Sequence, residues 1–535
     1  MCAQFYHKRH TGNYSKFYMS HIFLTDILKS AFSKALQHCE ADVASLKAKQ
    51  ESRRKFLQNT AKTGAGLLLL PSFLRAANFD TEKKIIIIGA GMAGLNAAYQ
   101  LQKLGIKATI YEAANRTGGR MYTMQNVFGD NITTDIGGEF VDTTHLDIIA
   151  LAKEFNLDMY DLSKDNLTNK TFFFNNTTYS ELELGEALQP FVKQILADII
   201  TLPEIKNYTT AAAIEKFDRQ SVAGYIKSLG IDGWLYNFIY TVFTSEFGIE
   251  ADQQSAMNFL IMFVAPLEAE SKYQLFGHDH EVMKIKGGSQ QLTTALSNHL
   301  KNTIQLEHEL IGIKAKNNQT ALSFLHKGKE VQVVADYVLC TLAFTKLRTI
   351  PFAVPMATEK RKCIDELGYG NSSKFIMGFK EKPWRKMGKQ GYTFTDEPFG
   401  TGWDSSQMQS DTTASFTVFG GGNYSVAINN KKEQELNKAY IAALDKIYPG
   451  AIAANTGKNL KFCWQGSPVS KAGYSCYKVG QYSTIAGWEA ANIGNIFFAG
   501  EHTSREFQGY MNGAAETGKN AAEQIAALIL KSKII

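Results

Sequence analysis

Ile85 to Ile88 is an unbroken run of isoleucine, followed at once by Gly89, Gly91 and Gly94 and then by a stretch to about Leu104 that reads as a helix. A continuous β-branched run of this length predicts a strand buried on both faces. Lys107 to Tyr111 repeats the strand pattern, so the segment predicts a strand, helix, strand unit. Residues 150 to about 270 read as mostly helical: Pro190 to Ile200, with its proline at the helix start, Ile214 to Ser228 and Gly233 to Glu246 carry apolar residues three and four apart. Lys284 to Leu300 predicts a turn at Gly287 and Gly288 and then a helix, and Ile304 to Ile313, Leu322 to Phe324 and Val331 to Leu339 predict strands. Ser373 to Lys380, Gly391 to Phe394 and Ala414 to Phe419 are alternating or aromatic and predict an antiparallel sheet. Tyr440 to Ile447 reads as helix, and Ile496 to Ala499 is a last short strand before an alanine-rich helix.

The glycine spacing carries chemistry. In GxGxxG the first glycine permits the tight turn, the second lets backbone approach a pyrophosphate, and the third lets the helix pack on the strand. Met92 and Ala93 lie between them, at the helix N-terminus that faces the phosphates. Glu112, 23 residues after Gly89, ends the second strand, where a carboxylate accepts hydrogen bonds from both ribose hydroxyls. An acid at that place argues against a 2′-phosphate.

Just past it, Arg116, Gly118, Gly119 and Arg120 form RxGGR, and GEHTSREFQGYMNGA spans Gly500 to Ala514. These motifs resemble the flavin amine oxidase superfamily, the group that includes the monoamine oxidases, from about Lys83 to Leu528. The resemblance implies an α/β chain: a discontinuous Rossmann-like FAD-binding domain (78–150, 284–345 and 456–535) with an inserted α+β substrate-binding domain (151–283 and 346–455). It implies cofactor contacts from Gly89, Gly91, Met92, Ala93, Gly94, Glu112, Arg116, Gly119, Arg120, the Gly137, Gly138 and Glu139 turn, the backbone of Leu310, Gly500, Glu501, Tyr510 and Met511. It further implies that Lys374 holds a water against flavin N5, that Trp384 to Lys386 follows at the family's distance, and that Tyr474 and Tyr510 form an aromatic cage for the amine nitrogen. Gly473 stands where covalent-flavin members carry cysteine, so the FAD is expected to be non-covalent; Cys476 is too far along to replace that link.

The implied reaction is oxidative deamination of an amine to imine and aldehyde, with ammonia and hydrogen peroxide formed and dioxygen consumed. The GGEFVD segment offers Glu139 and Asp142 rather than a carboxylate-clamping arginine, which favours a primary or secondary amine, either an arylalkylamine or a polyamine. Glu139 could bind the distal cation of a polyamine, or equally contact the flavin or a turn. An L-amino-acid oxidase or amino-acid monooxygenase, and a non-catalytic FAD-binding envelope protein, are the alternatives.

Charge changes the picture at one end. The chain has 535 residues and a formal charge of +6, but residues 1–77 hold 12 of its 57 basic and only 4 of its 51 acidic side chains. The remainder is close to neutral and presents no electrostatic footprint for nucleic acid. Ser52, Arg53, Arg54, Phe56 and Leu57 form SRRxFL ahead of the apolar stretch Thr63 to Leu74, which predicts a twin-arginine signal over 51–77. Export by the twin-arginine machinery to the periplasm or beyond is therefore expected, with a peripheral membrane tether if the signal stays uncut. Residues 1–50 read as a leader extension, helical or mis-started, with Met19 as the other candidate start. Cys2, Cys39, Cys340, Cys363, Cys463 and Cys476 lack metal-site spacing, so no metal centre is expected; a Cys463 to Cys476 bridge stays open.

Overall fold

The structure, a computed structural model, describes residues 82–262, 282–409 and 412–534; the leader and the twin-arginine segment lie outside the described residues. Ile85–Ile88 is the centre of a five-stranded sheet in the order Ile304–Gln305, Ala108–Tyr111, Ile85–Ile88, Tyr337–Cys340, Ile496–Phe498. Every pairing in it is parallel. Its two faces separate cleanly: Ile85 and Ile87 pack with the helices Met92–Lys103 and Met511–Ile534, whereas Ile86 and Ile88 pack with Leu310, Phe324 and Val338. That is why the strand reads as apolar throughout. The two helices touch backbone to backbone, since a Cβ on Gly518 would lie 2.2 Å from the Ala93 carbonyl oxygen. Asn96 Nδ2 donates to Ala515 O at 2.7 Å within that contact.

A seven-stranded sheet forms the second layer, ordered Asn455–Cys463, Ser372–Phe379, Ala414–Gly421, Thr401–Asp404, Thr393–Thr395, Thr171–Phe174, Thr177–Tyr179. The first four of these strands pair antiparallel, and Thr171–Phe174 joins Thr393–Thr395 in parallel. Asn455–Cys463 thus belongs to this sheet, and the chain rejoins the parallel sheet only at Ile496–Phe498. A three-stranded sheet of Phe140–Val141, Met283–Ile285 and Met159–Asp161 sets Lys284 opposite Phe140.

Several sequence expectations need correction. Val331 to Leu339 is two strands in two sheets, Lys329–Ala335 and Tyr337–Cys340. The change occurs at Asp336, whose carboxylate accepts from Lys84 N at 2.8 Å and Lys83 Nζ at 3.2 Å. Ile304 to Ile313 also divides, because Glu307 adopts φ 58° and the turn bonds back to Ala114 and Glu112. The helix expected to begin at Pro190 runs Glu181–Ile200 with the proline inside. A capping box of Ser180 and Glu183 starts it earlier, and Pro190 sits on its exposed side, where water can take the carbonyl it leaves unpaired. Ile214 to Ser228 is two helices, Ala211–Asp218 and Val222–Ser228, divided at Ser221, which caps the second through Gly224 N. The largely helical region also holds Thr171–Phe174, a fully buried aromatic strand. Cys340, Cys363, Cys463 and Cys476 are all free thiols, so the Cys463 to Cys476 bridge does not form.

Candidate active site

The glycine loop lies at the C-terminal edge of the parallel sheet. Gly89 has φ 103°, and a Cβ there would meet Thr341 Oγ1 at 2.6 Å. Gly94 is tighter: its Cβ would stand 2.0 Å from Gly89 O. Gly91 faces Gly119, whose Cβ would lie 3.2 Å from Gly91 Cα, so no side chain covers either backbone. The helix beginning at Met92 has no side-chain cap, leaving first-turn amides for an anion. Met92 and Ala93 are both buried in that turn.

Glu112 closes the same slot. Its Oε2 accepts from Ala90 N at 2.7 Å and its Oε1 from Ala114 N at 2.8 Å. Burial raises this carboxyl, although those amides and Arg116 pull the other way. His308 N donates to Glu112 O at 2.8 Å, and Leu310, two residues on, is buried with Ile86 and Ile88. Arg116 is spent on the carbonyls of Thr117 and Gly119, at 3.0 and 2.7 Å, and lies over the Tyr122 ring. Glycine-lined backbone, uncapped helix amides and a paired carboxylate together fit a dinucleotide.

Glu501 ties three segments together. Its carboxylate accepts from Arg120 Nη1 at 2.8 Å, from Ser475 Oγ at 2.6 Å and from Gly509 N at 2.9 Å. Burial pushes this group up, but Arg120 and the hydrogen bonds outweigh it and hold the carboxyl below its ordinary range. Ser475 follows Tyr474 and Gly509 precedes Tyr510, so one buried acid sets the backbone beside both tyrosines. Tyr474 Oη donates to Ser245 O at 2.7 Å. Tyr510 stands edge-on to His145, with ring centroids 5.1 Å apart. Gly500, at φ 140°, starts this turn, and Met511 opens the long helix against Gly138, whose Cβ would meet Met511 Cγ at 2.8 Å. The expected site residues at both ends of the chain therefore do converge.

The loop from Asp135 to Glu139 receives Lys374. Its Nζ donates to Asp135 O at 2.7 Å, Gly137 O at 3.1 Å and Glu139 Oε2 at 2.8 Å. Gly137 is obligatory, as its Cβ would stand 1.9 Å from Arg120 O. Glu139 is buried and also accepts from Lys284 Nζ at 2.6 Å and Trp403 Nε1 at 3.2 Å. Burial opposes its ionisation, but the two lysines overcome it and hold the carboxyl below its ordinary value. Asp135 goes the other way, pushed up to about 6 by burial and then by Glu139. Lys284 lay within KIKGGS, yet its lysine carried no sequence signal, and Trp403 and His145 had none either. Trp384 and Arg385 are structural: Trp384 Nε1 donates to Asp404 Oδ2 at 3.1 Å and Arg385 forks onto Asp165 at 2.9 Å twice.

His502, next to Glu501, is buried against Phe344, and neither ring nitrogen finds a hydrogen-bond partner among the described residues. Burial pulls its pKa down to about 3. The unfolded chain takes up a proton near pH 6.5, whereas the folded chain refuses it until far lower, so stability is full above that point and falls as pH drops. Between pH 7 and pH 5 the loss is about 2 kcal/mol. Thermal unfolding of the protein and of His502→Leu across that range checks this: the variant loses much of the acid slope, and equal slopes would show the histidine to be hydrated.

A sequence model of the family described as flavin containing amine oxidoreductase matches residues 92–526. Among curated relatives, an L-amino-acid oxidase of Crotalus adamanteus is 22% identical over 470 residues, spanning 83% of this chain and 87% of its own length. The L-amino-acid oxidase apoxin-1 of Crotalus atrox matches over the same shares at 22%. Of solved structures, cyclohexylamine oxidase from Brevibacterium oxydans superimposes with a TM-score of 0.73 at 20% identity, over 84% of this chain and 100% of that one. Putrescine oxidase bound to putrescine gives 0.71 at 18%, over 83% and 99%.

Proposed function

This chain belongs to the flavin-containing amine oxidoreductase family, and from that premise we propose that it is a FAD-dependent oxidase of a primary or secondary amine bearing no α-carboxylate. It is an oxidase that takes a small-molecule amine and dioxygen. The finer reading is conversion of an arylalkylamine-like monoamine to imine and aldehyde, with release of ammonia and hydrogen peroxide. The glycine loop and the helix Met92–Lys103 would hold the pyrophosphate, Glu112 the ribose, and the 137–139 turn and the start of Met511–Ile534 the flavin. When bound there, the flavin would supply the two-electron sink for amine oxidation and the means of reducing dioxygen. Tyr474 and Tyr510 present electron-rich ring faces that orient a neutral amine, and their anchoring through Glu501, Ser245 and His145 keeps them in place. Lys374 supplies a fixed positive charge at the 135–139 loop.

The observation that carries the substrate reading is the engagement of Glu139 by Lys284, Lys374 and Trp403. A carboxylate so occupied does not serve a distal ammonium, which supports an amine with one cationic centre over a polyamine. Non-covalent FAD is supported by Gly473, where a Cβ would lie 2.6 Å from Ser372 Cβ, and by Cys476, a buried thiol held up by desolvation and placed against Asn258. The rival reading, an L-amino acid as substrate, is favoured by the Crotalus relatives. Against it, Arg120 is committed to Glu501 and Gly473 O and Arg116 to loop carbonyls. Anaerobic bleaching of the flavin absorbance with tyramine, phenethylamine, putrescine, spermidine and L-amino acids, followed by air, decides between them. Bleaching by monoamines with peroxide formed in air is the expected result; bleaching by amino acids alone would replace this reading with its rival. The SRRxFL pattern supports twin-arginine export to the periplasm or beyond, which cell fractionation reads directly.

A further inference from the structure

Four charged side chains meet around the glycine pair, brought by three different stretches of chain. Glu139 and Asp135 come from the loop, Lys374 from the seven-stranded sheet and Lys284 from the three-stranded sheet. All four are nearly fully buried. Lys284 Nζ takes Glu139 Oε1 at 2.6 Å and Ser405 O at 2.9 Å, while Lys374 Nζ takes Glu139 Oε2 at 2.8 Å. Asp135 is bonded instead by Thr123 Oγ1 at 2.5 Å and by Ser289 N at 3.0 Å. Glu139 is therefore a bridge between two cations, one oxygen for each.

Sharing matters because charges removed from water act strongly on their neighbours. A buried carboxylate paired with Lys374 alone would cancel most of that ammonium's field. A second ammonium on the opposite oxygen draws the negative charge away and leaves Lys374 effective. Lys284 also pins Glu139 from the far side, so the carboxylate cannot swing into the space above the glycine pair.

We propose that Lys284 is a positioning residue that, by sharing Glu139, preserves the electrostatic effect of Lys374 on the flavin and so sets how fast the reduced enzyme reacts with dioxygen. This inference rests on the reading of Lys374 given above. It concerns a lysine whose ammonium is held by Glu139 and Ser405 and whose loss should leave amine binding alone.

The test uses the flavin-loaded enzyme and reads the midpoint potential of the bound flavin, the rate of reoxidation by dioxygen, and KM for the amine separately from kcat. Lys284→Met should lower the potential and slow reoxidation about tenfold, with KM changed by less than about twofold. Lys284→Arg should recover most of the rate. Glu139→Gln should raise the potential. The double variant Lys284→Met/Glu139→Gln removes one charge of each sign and should bring the potential back toward that of the unaltered enzyme. A potential and reoxidation rate unmoved by Lys284→Met, or a double variant at least as displaced as the single, would make Lys284 a structural fastener and overturn the proposal. If Lys284→Met fails to hold flavin, Glu139→Gln alone still decides, because an unshifted potential there also overturns it. Lys374→Met separates the two levels: if it leaves reoxidation unchanged, both readings fall, and if it slows reoxidation while Lys284→Met does not, only the proposal for Lys284 falls.

Discussion

Lys374→Met will slow reoxidation of the reduced enzyme by dioxygen by about a hundredfold or more, while anaerobic reduction by amine changes by less than about tenfold. Loss of a preorganised buried charge at the reacting centre has that order of effect because nothing else in a dry site replaces it. The variant also isolates the charge well. Glu139 keeps Lys284 and Trp403, so no unpaired carboxylate is left behind. Methionine follows the same unbranched path along the strand Ser372–Phe379, whose eight residues are all buried, so the pairing with Ala414–Gly421 and Asn455–Cys463 survives. Stopped-flow absorbance measures the two half-reactions separately. Equal slowing of both would mean that Lys374 acts only by shaping the loop at 135–139.

The second large effect separates two uses of glycine within six residues. Gly94→Ala will destabilise the protein by about 3 kcal/mol and release its flavin, because the new methyl would stand 2.0 Å from Gly89 O and 3.1 Å from Ile87 Cγ2. The helix Met92–Lys103 must lift off Ile85–Ile88, and its contact with Met511–Ile534 at Gly518 is then lost as well. Gly91→Ala behaves differently. Its methyl meets nothing closer than Gly119 Cα at 3.9 Å, so stability without flavin stays within about 1 kcal/mol while flavin affinity falls, the methyl occupying the approach of the pyrophosphate. Thermal unfolding of the flavin-stripped proteins and flavin content after gel filtration read both. A Gly94→Ala protein with unchanged melting and full flavin would refute the packing account, and equal losses of stability in the two variants would refute the distinction.

How much of this was legible depends on how local the determining interaction is. The run Ile85–Ile88 and its glycines were readable because turn, helix entry and strand burial are each set within a few residues. The motifs around Tyr474, Glu501 and Tyr510 were readable as a pattern, and the convergence of their backbones on one carboxylate was not. Pro190 is misleading because a proline resembles a helix start, while the Ser180 and Glu183 box, seven to ten residues upstream, is the local signal that sets it. Val331 to Leu339 looked like one strand since both halves are apolar; only the pairing of Asp336 with Lys83 and Lys84, some 250 positions away, divides it between sheets.

The βαβ unit with its glycines, the family and its flavin follow from the sequence because they rest on periodicity, on glycine's lack of a Cβ and on short motifs, and the same motifs single out Lys374 and the two tyrosines as candidates. The tertiary structure alone decided what Glu139 does, that Lys284 and Trp403 belong to the site, and that Asn455–Cys463 completes the second sheet. The physical reason is the same in each case. A buried charge is tolerated only where opposite charge and hydrogen-bond donors surround it, and those partners come from segments more than a hundred residues apart, joined by sheet registers that no single stretch of the chain encodes.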